Sequence, residues 1–390
     1  MSYKATRVIN NSSSAVSATK VGIVFPGYGY ERVSYALPVQ EFEFKRVRSI
    51  PIHRIFKNNF YQNTPIILPC NVSFLHTWNA LPICSNPFFV SFENELPRYF
   101  GNVHKWQKSI AFSILKSQRC KGILALSDTA AKLARENMNS CGYPEIASKI
   151  NVFRGGVVIN DESFKLRRRA DETIRLIIVA GDIFPKGFVP AFYALEELVN
   201  TGLKIELMVI GKFKEGGYAL KEHSPNPYEW NNKLQNISWV THYEQLPNKM
   251  VLENMAKHDL LISPSYDETL GWSVIEAGLL GVPAITSNVF ALPELVKHNE
   301  SGYVINLKLG KQRRWQGIWE NGIVLKNEID EANKLIYNGV LNAVRSIVEH
   351  PELLNQWSNN CRVHLNSLYN VDKAAKQLSA IYQKGLSESD

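Results

Sequence analysis

The sequence predicts an α/β protein of two doubly wound domains facing one another across a cleft. Short apolar runs alternate with helical stretches in both halves of the chain, the pattern of parallel sheets with crossover helices. Several runs end in glycine or serine, as at Gly122–Ser127, which leads into a helix, and at Ile205–Gly211. With 390 residues the chain is long enough for two separate cores. Ligands of such sheets gather at the carboxyl ends of the strands, which here would all point into the cleft.

In order, residues 1 to about 18 form a polar arm, and Lys20–Phe25 is the first strand, followed by the glycine-bearing stretch Pro26–Tyr30. Ile66–Leu68, Val72–His76 and Pro87–Phe92 read as strands; His76 and Glu93, near the ends of the last two, are candidates for the cleft. A lone histidine is more often packed or at the surface than catalytic. Trp106–Gln118 is helical, Gly122–Ser127 is a strand, and Ser127 can cap the helix Ala130–Met138. After Ile150–Val157 the composition turns charged up to about Asp171, which reads as a linker. The second domain opens with the strand Ile174–Gly181 and the helix Val189–Val199. The strands Ile205–Gly211 and Ile237–Val240 follow, the latter leading into a loop Thr241–Glu244. Glu331–Val348, Leu353–Tyr369 and Asp372–Gly385 are helices. The expected division is 1–165, completed by about 370–390, and 166–369.

Composition narrows the function classes. No apolar stretch is long enough to span a bilayer, and Lys4, Arg7 and Asn10–Ser14 leave no core for a signal peptide. Five scattered cysteines without a C-x-x-C pattern argue for reduced thiols, a cytosolic location and no structural zinc. A net charge of +8 admits a nucleic acid, an anionic membrane surface or anionic substrates as partners. No nucleic-acid-binding module accompanies it, so nucleic acid is not expected. The run Arg167–Arg169 is flanked by acids and reads as a solvated connector.

The stretch Leu260–Val304 concentrates the chemistry. A buried strand, Leu260–Ile262, leads through a loop holding Asp267 and Glu268 into a helix from Trp272, stopped by Gly281. The next strand is Pro283–Thr286. A loop that opens a helix presents free amides and the positive end of the helix dipole, a ready anion site. Glu268 and Glu276 bracket it with seven residues between them. Carboxylates would repel a phosphate, but they accept hydrogen bonds from sugar hydroxyls while amides hold the phosphate. That combination describes a nucleotide-sugar. On spacing alone both acids also fit ordinary helix-start residues.

Glu268 and Glu276, then Gly281-Val282-Pro283-Ala284-Ile285, then Leu292-Pro293-Glu294 and Ser301-Gly302-Tyr303 resemble, in that order, the signature of the retaining family-four glycosyltransferases with a GT-B fold. The resemblance is strongest over about 174–306. It implies a retaining, metal-independent transferase without a cofactor, moving a hexose from a UDP- or GDP-sugar to a glycan, lipid-linked or other hydroxyl acceptor. Bacterial-type surface polysaccharide or glycoconjugate synthesis is the expected setting. Location would be cytoplasmic, with a peripheral position on the inner face of a membrane also open.

By the same resemblance, Lys186 and the amides of Leu270, Gly271, Trp272 and Ser273 would stabilise the leaving diphosphate, Thr269 would also lie at the donor site, and Glu276 would hold the ribose and Glu268 the donor sugar. The loop after Ile174–Gly181 is one residue short, and Asp182 stands where the family carries a second clamp cation. Lys212, Arg98 and Arg154 are candidates to compensate. His242 would lie beside the nucleotide base and Gly27 near the donor phosphates; Gly27 and Gly29 serve equally as turn glycines. Glu93 occupies the position of a family histidine, as acceptor-binding carboxylate, base or strand-end charge. The segment 307–327 is either an insertion near the acceptor or membrane or a packed surface elaboration. Two other readings stay open: a non-catalytic nucleotide-sugar or polyanion-binding protein on this scaffold, and a sugar-nucleotide epimerase. Oligomeric state is not set by the sequence.

Overall fold

A computed structural model describes residues 18–24, 34–56, 58–99, 104–159, 173–215, 219–319 and 325–387. Gly27, Gly29 and the run Arg167–Arg169 lie outside them. Two six-stranded parallel sheets organise the molecule. In the first, β1 (Thr19–Val24), β2 (Phe42–Arg46), β5 (Phe74–Trp78), β6 (Phe88–Phe92), β7 (Cys120–Ala125) and β8 (Ile150–Val152) run in the order β2-β1-β5-β6-β7-β8. β3 (Ser49–Ile50) and β4 (Ile66–Ile67) pair antiparallel outside it, so Ile66 belongs to a small flap rather than to the main sheet. In the second sheet, β9 (Ile174–Asp182), β10 (Ile205–Lys212), β11 (Val240–Tyr243), β12 (Leu260–Ser263), β13 (Ala284–Ser287) and β14 (Gly302–Ile305) run in the order β11-β10-β9-β12-β13-β14.

The strands follow the rules for parallel sheets covered on both faces. Every residue of β6, β12 and β13 is buried, so they read as unbroken apolar or small-residue runs. β2 is the exception. It is an edge strand in which only Phe42 is buried, and the charged residues alternating with its two phenylalanines disguise it in the sequence. A second difference concerns β11. Ile237 to Trp239 still belong to the turn leaving the helix Pro227–Gln235, the Val240 amide donating to the Ile237 carbonyl at 3.2 Å. The strand therefore starts at Val240, and His242, expected in a loop, stands on the strand.

The helix Val371–Ser387 packs on the first sheet, where the Tyr382 ring lies 4.9 Å from Phe42, 4.7 Å from Phe74 and 5.1 Å from Phe89. His76 is part of this core and not of the cleft. It is 0% exposed, with Nδ1 2.6 Å from the Tyr382 hydroxyl and Nε2 2.9 Å from the Ser91 hydroxyl. Burial pushes its pKa down from 6.5 to about 3. A group depressed on folding stabilises fully above its unfolded pKa and loses that contribution as pH falls toward the folded one. Stability should therefore fall from about pH 6.5 toward 3 by at most about 1.4 kcal/mol per pH unit from this group. His76→Gln, followed by urea denaturation across that range, should flatten the slope.

The sheets are tied together by Glu294, on the short helix Leu292–Leu295. Its carboxylate accepts from the amides of Asp128 at 3.0 Å and Thr129 at 2.7 Å, at the start of the helix Asp128–Ser140. Arg154 joins it at 3.2 Å and pairs with Asp128. An acid from the second half thus caps a helix of the first, a placement that the helix dipole favours.

Candidate active site

The order β11-β10-β9-β12-β13-β14 reverses direction between β9 and β12. At such a switch point the loops leaving two neighbouring strands diverge and open a crevice. Lys186 leaves β9 and Glu268 leaves β12, one on each side of it.

The Lys186 loop is a tight 3-10 turn, Phe184–Lys186, ended by Gly187 at φ 72°. A side chain at Gly187 would place its Cβ 2.3 Å from the Pro264 carbonyl oxygen, so glycine alone lets this turn lie on the neighbouring loop. Phe184 and Phe188 anchor it in the core on either side. The Tyr266 amide donates to the Pro185 carbonyl at 3.0 Å, locking the two loops together.

Across this junction Lys186 Nζ donates to Glu268 Oε2 at 2.6 Å, both side chains being about five-sixths buried. The Thr269 amide donates to Glu268 Oε1 at 3.0 Å, and the Leu270 amide also bonds this carboxylate. Burial pushes the Glu268 carboxyl up, but Lys186 and the two amides outweigh it and hold the group below the ordinary carboxylate range. In this structure the amides of Thr269 and Leu270, both expected at the donor site, bond the side chain of Glu268.

The next residues are arranged differently. Gly271, at φ 87°, turns the chain into the helix Trp272–Leu279, and no side chain caps that helix. The amides of Trp272 and Ser273 therefore have no acceptor within the helix and stand at its positive end. Glu276, one turn in, is 7% exposed.

The first domain meets this site through the loop after β6. The Trp272 indole N–H donates to the Glu93 carboxylate, and Arg98 lies 3.6 Å from it. Burial raises the Glu93 carboxyl, opposed by Arg98 and Trp272 and reinforced by the nearby Glu268 charge. Glu95, two residues on, is likewise raised by burial, against the pull of Arg314 and Arg98.

His242 closes the far side, its Nε2 2.9 Å from the Gly211 carbonyl and its ring 5.2 Å from Phe213. Asp182 ends β9. Burial raises its carboxyl, while Lys214 and the amides of Phe184 and Lys214 draw it down; one of its oxygens is buried without a partner. Of the three candidates to replace the missing cation, Arg154 is engaged by Asp128 and Glu294, and Lys212 sits exposed 3.9 Å from Glu244. Only Arg98 lies beside the site, on Glu93.

Sequence reasoning missed one cation altogether. Arg314 Nη1 lies 2.6 Å from both oxygens of Asp267, with 7% and 4% of the two side chains exposed. Trp315 beside it is buried and packs 5.2 Å from Tyr266, so this part of 307–327 is packed against the site loop from behind. The neighbouring Trp315 was the available signal, since a large aromatic beside an arginine marks a segment with an interior face.

Residues 160–313 match the family model described as glycosyl transferases group 1. An uncharacterized 41.2 kDa protein in the cps region of Klebsiella pneumoniae is 29% identical over 27% of this chain and 34% of its own length. The amylovoran biosynthesis glycosyltransferase AmsK of Erwinia amylovora is 25% identical over 45% of this chain and 42% of its own length. The matches thus span well under half of either relative. Among solved structures, HepE of Anabaena in complex with UDP superposes with a TM-score of 0.61 at 12% identity, over 94% of this chain and 99% of that one. At that identity the likeness speaks for the fold alone, which is GT-B.

Proposed function

We propose that the crevice between β9 and β12 binds a nucleotide-diphospho-sugar and passes its hexose to a hydroxyl acceptor with retention of configuration, a reading supported by the match of residues 160–313 to the family model of glycosyl transferases group 1. The single observation that carries this reading is the union of Lys186 and Glu268 beside an uncapped helix start at the switch point, with Glu276 one turn behind. An ammonium and free amides suit a diphosphate, and paired carboxylates suit sugar hydroxyls. A relative named for amylovoran biosynthesis favours a polysaccharide acceptor, and a fold neighbour holding UDP favours a uridine donor.

In this scheme the bond from the anomeric carbon to the diphosphate breaks as negative charge develops on the leaving oxygen. Lys186 and the amides of Trp272 and Ser273 stabilise that charge where it forms, without needing a metal. Donor binding draws Lys186 off Glu268 onto the phosphate, freeing Glu268 to accept from the hexose hydroxyls. Glu276 accepts from the ribose. The acceptor oxygen attacks from the face the diphosphate leaves, and its proton passes to a departing phosphate oxygen. Glu93, buried and facing Glu268 across the cleft, orients the acceptor hydroxyl.

The test is nucleotide release from UDP- and GDP-hexoses, with the anomeric configuration of the product read by NMR. One donor should be consumed, with turnover unchanged by EDTA and the configuration retained. Inversion, or activity abolished by EDTA and restored by a divalent cation, would overturn the corresponding part of the scheme.

A further inference from the structure

The charge of the chain is concentrated in one stretch. Between Phe44 and Ser127 stand eleven lysines and arginines and only two acids, Glu93 and Glu95, while the rest of the chain is nearly balanced. Both acids face the cleft, Glu93 beside Glu268 and Glu95 toward Arg314. The same region carries exposed apolar side chains: Ile55 at 77%, Phe56 at 54% and Trp106 at 50%. These belong to one surface. Phe56 lies 5.3 Å from Tyr61, Tyr61 5.3 Å from Phe60, and Phe60 5.4 Å from Trp106. Arg48 and Arg54, in the stretch that leads to Phe56, are exposed, as are Lys105 and Lys108, which flank Trp106 along its helix.

We propose that this face docks on an anionic lipid bilayer. A soluble polyanion would need only the cations. Exposed rings and aliphatic tips set among cations match a surface that offers negative headgroups and hydrocarbon together. Among the described residues no helix is long and apolar enough to cross a membrane, so the contact is interfacial. The patch adjoins the cleft. Asn63 Nδ2 donates to the Arg98 carbonyl at 2.6 Å, and the Tyr99 ring lies 5.5 Å from Phe60. Docking there holds the loop of Glu93 and Glu95 beside the bilayer and suits an acceptor carried on a lipid. That consequence rests on the glycosyl-transfer reading; the docking itself does not.

The test is co-sedimentation of the full chain with phosphatidylcholine vesicles, with and without phosphatidylglycerol. Binding should require phosphatidylglycerol and fall with salt. At roughly fivefold per charge near an anionic surface, Arg48→Gln/Arg54→Gln should weaken it about twenty-fivefold. Phe56→Ser/Trp106→Ser should weaken it with every charge intact. Failure to bind anionic vesicles overturns the proposal. So does binding that is indifferent to Phe56→Ser/Trp106→Ser and matched by heparin, which would make the face a plain polyanion site. Stabilisation by nucleotides, measured on the same variants, should be unchanged and reports separately on the donor site.

Discussion

Replacing Lys186 by alanine is expected to lower kcat about 10²–10³-fold, the usual loss when a group aimed at developing transition-state charge is removed. The geometry also predicts a change in pH dependence. In the native chain Glu268 is held below its ordinary value of 4.5 by Lys186 and two amides, against burial. A carboxyl depressed on folding stabilises above its unfolded pKa and loses that contribution as pH falls through its folded value. Without Lys186, burial dominates, the carboxyl rises, and the acid limb of the kcat/KM profile, which reports the free enzyme, should move to higher pH. Lys186→Arg keeps the charge and should hold the acid limb near its original place while still losing turnover. An acid limb that does not move in Lys186→Ala would show that Glu268 is not the group titrating.

The second large effect is on stability. Asp267→Leu should cost about 3–5 kcal/mol, because it removes the carboxylate that pairs with the nearly buried guanidinium of Arg314. Arg314→Met should cost a comparable amount by leaving Asp267 unpaired. Together, Asp267→Leu/Arg314→Met should recover most of the loss, since an apolar pair of similar volume often replaces a buried ion pair without net cost. Urea denaturation of the four proteins completes the cycle. Additive losses would mean that the two side chains act separately despite their 2.6 Å contacts. The double variant should still lose activity, because Asp267 precedes Glu268 and its pairing fixes the loop that presents that acid.

The core of the candidate site was legible because its signals are local. A buried strand, a loop with Glu268, a helix opening at Trp272 and a glycine stop follow one another within about twenty residues, and each has its own chemistry. Lys186 was legible for the same reason, as a lysine on a strand-to-helix turn. What stayed hidden depends on distant partners. Arg314 meets Asp267 across 47 positions, and His76 meets Tyr382 across 306. No periodicity encodes such meetings, and so a core histidine read as a cleft candidate. The edge strand β2 and the start of β11 were missed through pattern. One buried face beside a charged one in β2 looks like loop, and Ile237 and Trp239 look like strand while belonging to a turn. Nor does the sequence show that Glu268 folds back onto its own loop and takes the amides of Thr269 and Leu270.

The most direct test of the donor site is the thermal stability of the wild-type chain and of Glu276→Ala with UDP, GDP, ADP and their sugars, each with and without EDTA. A ligand at about a hundred times its Kd adds roughly 2.7 kcal/mol, enough for a clear rise in Tm. The account predicts that one nucleotide family stabilises the wild type, that EDTA makes no difference, and that Glu276→Ala loses the effect while melting near the unliganded wild type. No stabilisation by any nucleotide, or equal stabilisation of Glu276→Ala, would contradict it.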